Sequence, residues 1–124
     1  MKKILLVDDS MFHLEAAKSF LEDKYDIITA KSGKEALKVF AQGIIPDLVL
    51  LDVLMPEMDG WETFNYLKGI SLLRDVPIAF FTSLDSELDK NHAARLGAVD
   101  FLTKPFEKEE LQKRVESIIE SHTA

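Results

Sequence analysis

Short apolar segments of this sequence end repeatedly in side chains that could take part in chemistry. The most apolar of them, residues 48–51, runs directly into a single carboxylate, and a Pro-x-x-Asp-Gly turn follows within a few residues. A carboxylate placed there is costly to bury unless another group pairs with it. The side chains that follow apolar segments in this way are Asp8 and Asp9, Asp52, Thr82, and Lys104.

Together these groups describe a site for phosphoryl transfer. Crowded carboxylates repel one another unless a cation lies between them. Because the ligands are oxygen atoms, we expect a hard divalent ion, Mg²⁺ first and Mn²⁺ second. An aspartate can accept a phosphoryl group covalently, and a metal ion and an ammonium group would neutralise the charge of that group.

Strand-like and helix-like segments alternate along the chain, and this alternation predicts how the groups are positioned. It is typical of a parallel sheet covered by helices on both faces. We predict an α/β fold with a five-stranded parallel sheet in the order 2-1-3-4-5, doubly wound with five helices (flavodoxin-like). The ends of strands 1, 3, 4 and 5 are then neighbours, and ligands bind at such carboxyl ends. Asp9 and Asp52 would be close enough to share one ion.

Polar residues predict where the helices begin. Ser32 with Glu35, and Asp59 with Glu62, have the spacing of a capping box. The other predicted starts are Ser10 or Asp9, Asp85 or Ser86, and a position near Glu107. The first helix is expected to carry its apolar residues on one side: Phe12, Leu14, Ala17, Phe20 and Leu21.

Composition narrows the class of protein. The chain has 124 residues, no cysteine and a net charge of −7, so we expect one domain over residues 1–124 and no disulfide framework. Its apolar segments are too short to span a bilayer, and its start lacks a signal-peptide core, which favours a cytoplasmic protein without membrane contact. Direct nucleic-acid binding is not expected, because it requires a basic face.

Four motifs, each at the end of a predicted strand, carry a resemblance to a known family. Over essentially the whole chain the sequence resembles the receiver domain of two-component response regulators. The motifs are Val7-Asp8-Asp9-Ser10, then Leu51-Asp52-x-x-Met55-Pro56-x-Met58-Asp59-Gly60, then Thr82-Ser83, and finally Gly97-Ala98-x-Asp100-Phe101-Leu102-x-Lys104-Pro105-Phe106.

The resemblance implies a phosphorylation-activated switch in a phosphorelay. Its phosphodonor would be a sensor histidine kinase or a histidine phosphotransfer protein, and its target a downstream protein or a missing output domain. It also implies a cis peptide bond between Lys104 and Pro105. The implied roles are Asp52 as phosphoacceptor, Asp8, Asp9, Asp52 and the Leu54 carbonyl as Mg²⁺ ligands, Thr82 and Lys104 as partners of the phosphoryl group, and Phe101 as the switch aromatic.

Three alternatives remain at this point. A Mg²⁺-dependent aspartyl-phosphate hydrolase of the haloacid-dehalogenase type would place an Asp-x-Asp pair after its first strand, whereas Asp8 and Asp9 are adjacent. A flavin carrier would need a Ser/Thr/Gly-rich loop there. The chain could also be a receiver from a longer regulator or hybrid kinase. The histidines lack metal-ligand spacing and are interpreted as surface or helix-side residues: His13, His92 and His122.

Overall fold

A computed structural model describes residues 1–122 as a parallel sheet with helices on both faces. The strands are β1 (Lys3–Val7), β2 (Asp26–Ala30), β3 (Leu48–Leu51), β4 (Ile78–Thr82) and β5 (Asp100–Thr103). The helices are α1 (Met11–Leu21), α2 (Gly33–Ala41), α3 (Gly60–Lys68), α4 (Glu87–Leu96) and α5 (Lys108–Ser121), with a 3-10 turn at Ser71–Leu73. The strand order is β2-β1-β3-β4-β5, which confirms the predicted doubly wound fold.

Alternate residues of the strands point to opposite faces and form two separate apolar clusters. On one face, Leu5, Leu51 and Phe80 pack with residues of α2, α3 and α4. On the other face, Leu6 and Leu50 pack with residues of α1 and α5. Because both faces are covered, the central strands read as continuous apolar runs in the sequence.

The helices begin where capping residues were predicted. Of the two alternatives at α1, Ser10 is the cap, and Ser86 is the cap of α4. The Ser32 hydroxyl accepts the Glu35 N–H at 3.1 Å, and the Asp59 carboxylate accepts the Glu62 N–H at 2.9 Å. Local hydrogen bonding therefore fixes where α1 to α4 start.

The predicted apolar side of α1 was partly wrong. Leu14, Ala17 and Leu21 are buried, but Phe12 is 80% exposed. Residues two positions apart on a helix point in nearly opposite directions, so Phe12 and Leu14 cannot share a face. The 3-10 turn was not predicted. Within residues 1–122, no helix is long and apolar enough to cross a membrane.

Candidate functional site

Asp52 lies at the carboxyl end of β3, immediately after four fully buried residues. Its side chain is itself buried, with 6% of the residue exposed. One oxygen, Oδ1, accepts the Leu54 N–H at 3.3 Å. The loop after β3 packs closely against the backbone of Asp52. A Cβ atom at Gly60 would lie only 2.2 Å from the Asp52 carbonyl oxygen. The glycine of the Asp-Gly turn is therefore required for this close approach.

The ammonium group of Lys104 joins two carboxylates that come from neighbouring strands. Its Nζ atom is 3.3 Å from Asp52 Oδ2 and also contacts Asp8 Oδ2. Asp8 is 6% exposed, and its other oxygen accepts the Ser10 N–H at 2.9 Å. The peptide bond between Lys104 and Pro105 is cis, as predicted. The fold thus brings together residues that lie 52 and 96 positions apart in the sequence.

Asp9 occupies a different position from Asp8. It is exposed and lines an open depression together with Leu54, Asp59, Trp61 and Leu84. The depression adjoins the loop after β3, so Asp9 lies beside the acidic pair of Asp8 and Asp52 rather than within it.

Thr82 ends β4 and is fully buried. Its hydroxyl oxygen accepts the Leu84 N–H at 3.4 Å, and its carbonyl accepts the Lys104 N–H at 2.8 Å. β4 is the direct neighbour of β3 in the sheet. The hydroxyl group is therefore held at the same edge of the sheet as the Asp52 carboxylate.

Phe101, on β5, is partly buried against the first apolar cluster. Its ring centroid is 6.3 Å from that of Phe80, and Phe80 in turn contacts the Trp61 ring at 4.7 Å. Trp61 packs edge-on against His92 at 4.5 Å. An aromatic contact path therefore leads from β5 through β4 to α3 and α4.

His13 is the residue that sequence reasoning missed. Its Nδ1 atom lies 3.1 Å from Lys104 Nζ and 3.5 Å from Asp8 Oδ2. Ligand atoms of Asp8, His13 and Asp52 lie within 4.8 Å of one another, a grouping that could hold a metal ion. A signal was present in the sequence: His13 lies three residues after the cap Ser10, and helical side chains lean toward the N-terminus of their helix.

Comparison with known proteins agrees with this geometry. A buried aspartate, a second carboxylate and a lysine at the carboxyl ends of a doubly wound parallel sheet define a class of signalling domain. The family model of the response regulator receiver domain matches residues 4–116. The chain belongs to this family.

Individual relatives include whole regulators. The chain is 43% identical over 119 residues to the alkaline phosphatase synthesis transcriptional regulatory protein PhoP of Bacillus subtilis, covering 95% of this chain and 48% of that protein. It is 38% identical over 121 residues to the transcriptional regulatory protein CiaR of Streptococcus pneumoniae, covering 96% and 52% respectively. The chain thus spans about half the length of these curated relatives.

Solved structures of similar length match the whole fold. The chemotaxis protein CheY4 of Vibrio cholerae has a TM-score of 0.88 at 34% identity, covering 95% of this chain and 98% of that one. The signal receiver domain of a signal transduction histidine kinase from Syntrophus aciditrophicus has a TM-score of 0.85 at 36% identity, covering 98% and 92%. The same fold therefore occurs both in a short chain and in a receiver taken from a kinase.

Proposed function

We propose that the chain, over residues 1–124, is a signalling switch that accepts a phosphoryl group on Asp52. The observation that carries the proposal is the contact of a buried Asp52 carboxylate with the Lys104 ammonium, 3.3 Å away. A carboxylate oxygen would form the new P–O bond while the P–N bond of a donor phosphohistidine breaks. The leaving imidazole nitrogen would keep the electron pair of that bond.

The neighbouring side chains would bind the transferred group. Lys104 has three N–H donors and a flexible stem, so it can turn from the carboxylates toward a phosphoryl oxygen. The Thr82 hydroxyl, whose oxygen already accepts the Leu84 N–H, can donate its own proton to another oxygen. Such donors stabilise the negative charge that spreads over the phosphoryl oxygens during transfer.

The oxygen donors around Asp52 fit a Mg²⁺ ion, with Mn²⁺ as the second choice. Asp8, Asp9, Asp52 and the Leu54 carbonyl would hold it, since hard ions favour carboxylate and carbonyl oxygens. When bound, Mg²⁺ supplies neutralisation of phosphoryl charge. Asp8 and Asp52 share one lysine, so the pair retains negative charge that a further cation would offset.

The proposed phosphodonor is a sensor histidine kinase or a histidine phosphotransfer protein in the cytoplasm. A groove of about 360 Å³ opens beside Lys104, and its walls include Phe12, Phe20 and Phe106. An apolar surface next to the acceptor could seat such a partner while its phosphohistidine reaches Asp52.

The proposed output is a change in the face formed by α4, β5 and α5, with Phe101 as the switch aromatic. Phe101 has no hydroxyl group, so packing alone would decide its rotamer. The target would be a downstream protein or an output domain, as the lengths of the regulatory relatives suggest. Side-chain NMR should show two Phe101 rotamers before phosphorylation and one with a beryllofluoride mimic; one outward rotamer in both states would exclude this route.

The test of the acceptor is mass spectrometry after incubation with acetyl phosphate and Mg²⁺. The chain should gain one phosphoryl mass, and Asp52→Asn should abolish the gain because the nucleophilic carboxylate is lost. Asp23→Asn is a matched control, since Asp23 is an exposed aspartate whose nearest ion pair is with Lys108 at 4.0 Å. Labelling that persists in Asp52→Asn, or disappears in Asp23→Asn, would refute the assignment.

Membership of a family of signalling domains favours this proposal over the phosphohydrolase alternative. The two functions differ in substrate, because the proposed signalling domain catalyses only its own phosphorylation and dephosphorylation, whereas a hydrolase releases phosphate repeatedly from phosphate esters. With a generic phosphate ester, the unmodified chain should therefore release phosphate no faster than Asp52→Asn does. Sustained release that depends on Asp52 would favour the hydrolase.

A further inference from the structure

His13 is a partner of the Lys104 ammonium that has no part in the proposed acceptor or the proposed Mg²⁺ site. An ammonium group has three N–H donors and no acceptor. Within residues 1–122 the polar partners of this ammonium are Asp8 Oδ2, Asp52 Oδ2 at 3.3 Å and His13 Nδ1 at 3.1 Å. Donors and acceptors therefore match in number, and His13 supplies the third acceptor.

The contact with Lys104 determines which nitrogen of the His13 ring carries the proton. Because an ammonium group only donates, Nδ1 must accept from it, and the proton of the neutral ring then lies on Nε2. The alternative is an Nδ1–H that donates to Asp8. His13 Nδ1 and Asp8 Oδ2 are 3.5 Å apart, which is too long for an ordinary N–H···O hydrogen bond. The geometry therefore favours acceptance from Lys104.

The two carboxylates that share Lys104 have other tasks when a phosphoryl group arrives. Under the proposed function, an oxygen of Asp52 forms the bond to phosphorus, and Asp8 is a ligand of Mg²⁺. Both carboxylates then have less negative charge to offer the ammonium group. His13 has neither task, so the lone pair of its Nδ1 atom stays available to Lys104.

We infer that His13 is a positioning residue, which holds the Lys104 ammonium against the phosphoryl group. One N–H of Lys104 would remain bonded to His13 Nδ1 while another donates to a phosphoryl oxygen. Without this restraint the flexible lysine stem could turn into the groove that it borders beside α1. The inference rests on the proposed function, because it adds a residue to the same site.

The position of His13 on α1 suits this role. Leu14 and Ala17 pack in the second apolar cluster and fix the rotation of the helix, and the His13 side chain leans toward the N-terminus of α1. Its side chain is 43% exposed, whereas that of Lys104 is 10% exposed. Substitutions at His13 should therefore change the contact with Lys104 without opening the core.

Two substitutions of nearly equal shape separate the acceptor atom from the bulk of the ring. Asparagine places its Oδ1 oxygen near the position of Nδ1, whereas leucine places a methyl group there. His13→Asn should therefore keep the hydrogen bond to Lys104, and His13→Leu should lose it. Leucine is the better helix former, so a defect confined to His13→Leu would not reflect a weakened α1. His122→Leu, at the C-terminal end of α5, is the control.

The first measurement is the affinity for beryllofluoride at saturating Mg²⁺, followed by calorimetry. His13→Leu should bind this mimic about threefold to tenfold more weakly than the unmodified chain, as expected for the loss of one hydrogen bond. His13→Asn and His122→Leu should bind it like the unmodified chain. Equal affinity in all four proteins, or an equal loss in the two His13 variants, would overturn the role of Nδ1.

A double variant tests whether His13 acts through Lys104. After Lys104→Met has removed the ammonium group, His13 has nothing left to position. Adding His13→Leu should then slow labelling by acetyl phosphate no further, although His13→Leu alone slows it. Additive slowing would show that His13 acts independently of Lys104 and would overturn the inference.

The contact itself is tested without phosphoryl chemistry by ¹⁵N NMR of the metal-free chain at about pH 8, where free histidine is neutral. The Lys104 Nζ resonance should move in His13→Leu and much less in His13→Asn. A proton on His13 Nδ1, or an Nζ resonance that moves equally in both variants, would overturn the inference. An unmodified chain that shows the contact but binds no mimic and gains no phosphoryl mass would instead refute the proposed function, and the role of His13 with it.

Discussion

The ion pair of Arg114 with Asp100 and the cluster of Lys104 with Asp8 and Asp52 differ in burial and in charge balance. Arg114 binds Asp100 through two parallel hydrogen bonds of 2.5 and 3.0 Å, and their side chains are 37% and 25% exposed. Lys104 instead lies between Asp8 and Asp52, and all three side chains are at most 10% exposed.

The difference shows what separates a structural pair from a candidate site. The Arg114 pair has one cation for one carboxylate, and the hydrogen bond to Asp100 raises the pKa of Arg114. Its charges balance, so this pair has little tendency to bind a further ion. The Lys104 cluster has one cation for two carboxylates, and a lysine can release its partners more easily than a bidentate arginine can. The Lys104 cluster is buried and carries excess negative charge, which would favour binding of a further cation.

The largest expected difference between the two pairs is in phosphorylation. Lys104→Met should slow labelling by acetyl phosphate about 10²–10³-fold, because one charged donor to the phosphoryl group is lost. Arg114→Met, the matched change, should leave the rate unaltered. Labelling rates from mass spectrometry check this, and equal rates in the two variants would mean that Lys104 does not act on the phosphoryl group.

The free energy of unfolding should also change more in Lys104→Met than in Arg114→Met, although this effect is smaller than the effect on the labelling rate. Lys104→Met leaves two buried carboxylates without their cation and should lower the free energy of unfolding by about 2–4 kcal/mol. Arg114→Met should lower it by at most about 1 kcal/mol, because solvent screens that pair. Urea unfolding without metal measures both values.

A double variant identifies the cause of that loss. Adding Asp52→Asn to Lys104→Met removes the repulsion between the carboxylates and should restore part of the stability. If the double variant is as unstable as the sum of the single changes, lost packing of the lysine stem, not charge, is the cause.

The smallest expected effect is on stability at alkaline pH, where Tyr25 rather than the pair of Arg114 and Asp100 should titrate. Burial, followed by the charges of Glu116 and Glu120, raises the pKa of Tyr25 above its ordinary value of 10.0. The unfolded chain then loses the phenolic proton at a lower pH than the folded chain. Stability should fall as pH rises from about 10 through the folded pKa.

Tyr25→Phe should remove this part of the alkaline loss, measured by urea unfolding at several pH values. Arg114→Met is the control, because the raised pKa of Arg114 keeps its pair charged throughout this range. A loss that is unchanged in Tyr25→Phe would show that another group titrates.

Local sequence determined much of this protein. Apolar runs that end at Asp8, Asp52 and Thr82 predicted β1, β3 and β4, because strands covered on both faces leave no room for polar residues until they end. Capping residues predicted the starts of α1 to α4, because a cap bonds only to N–H groups within the next turn. The alternation of these elements, with the family resemblance, led to the correct strand order.

The tertiary structure alone decided which side chains meet. His13 reaches Lys104, 91 residues away, because packing of Leu14 and Ala17 against the sheet fixes the rotation of α1. The same rotation leaves Phe12 exposed. A helical pattern predicts which residues share a side, but the direction of that side and the neighbours of each side chain depend on elements distant in sequence, which local periodicity does not encode.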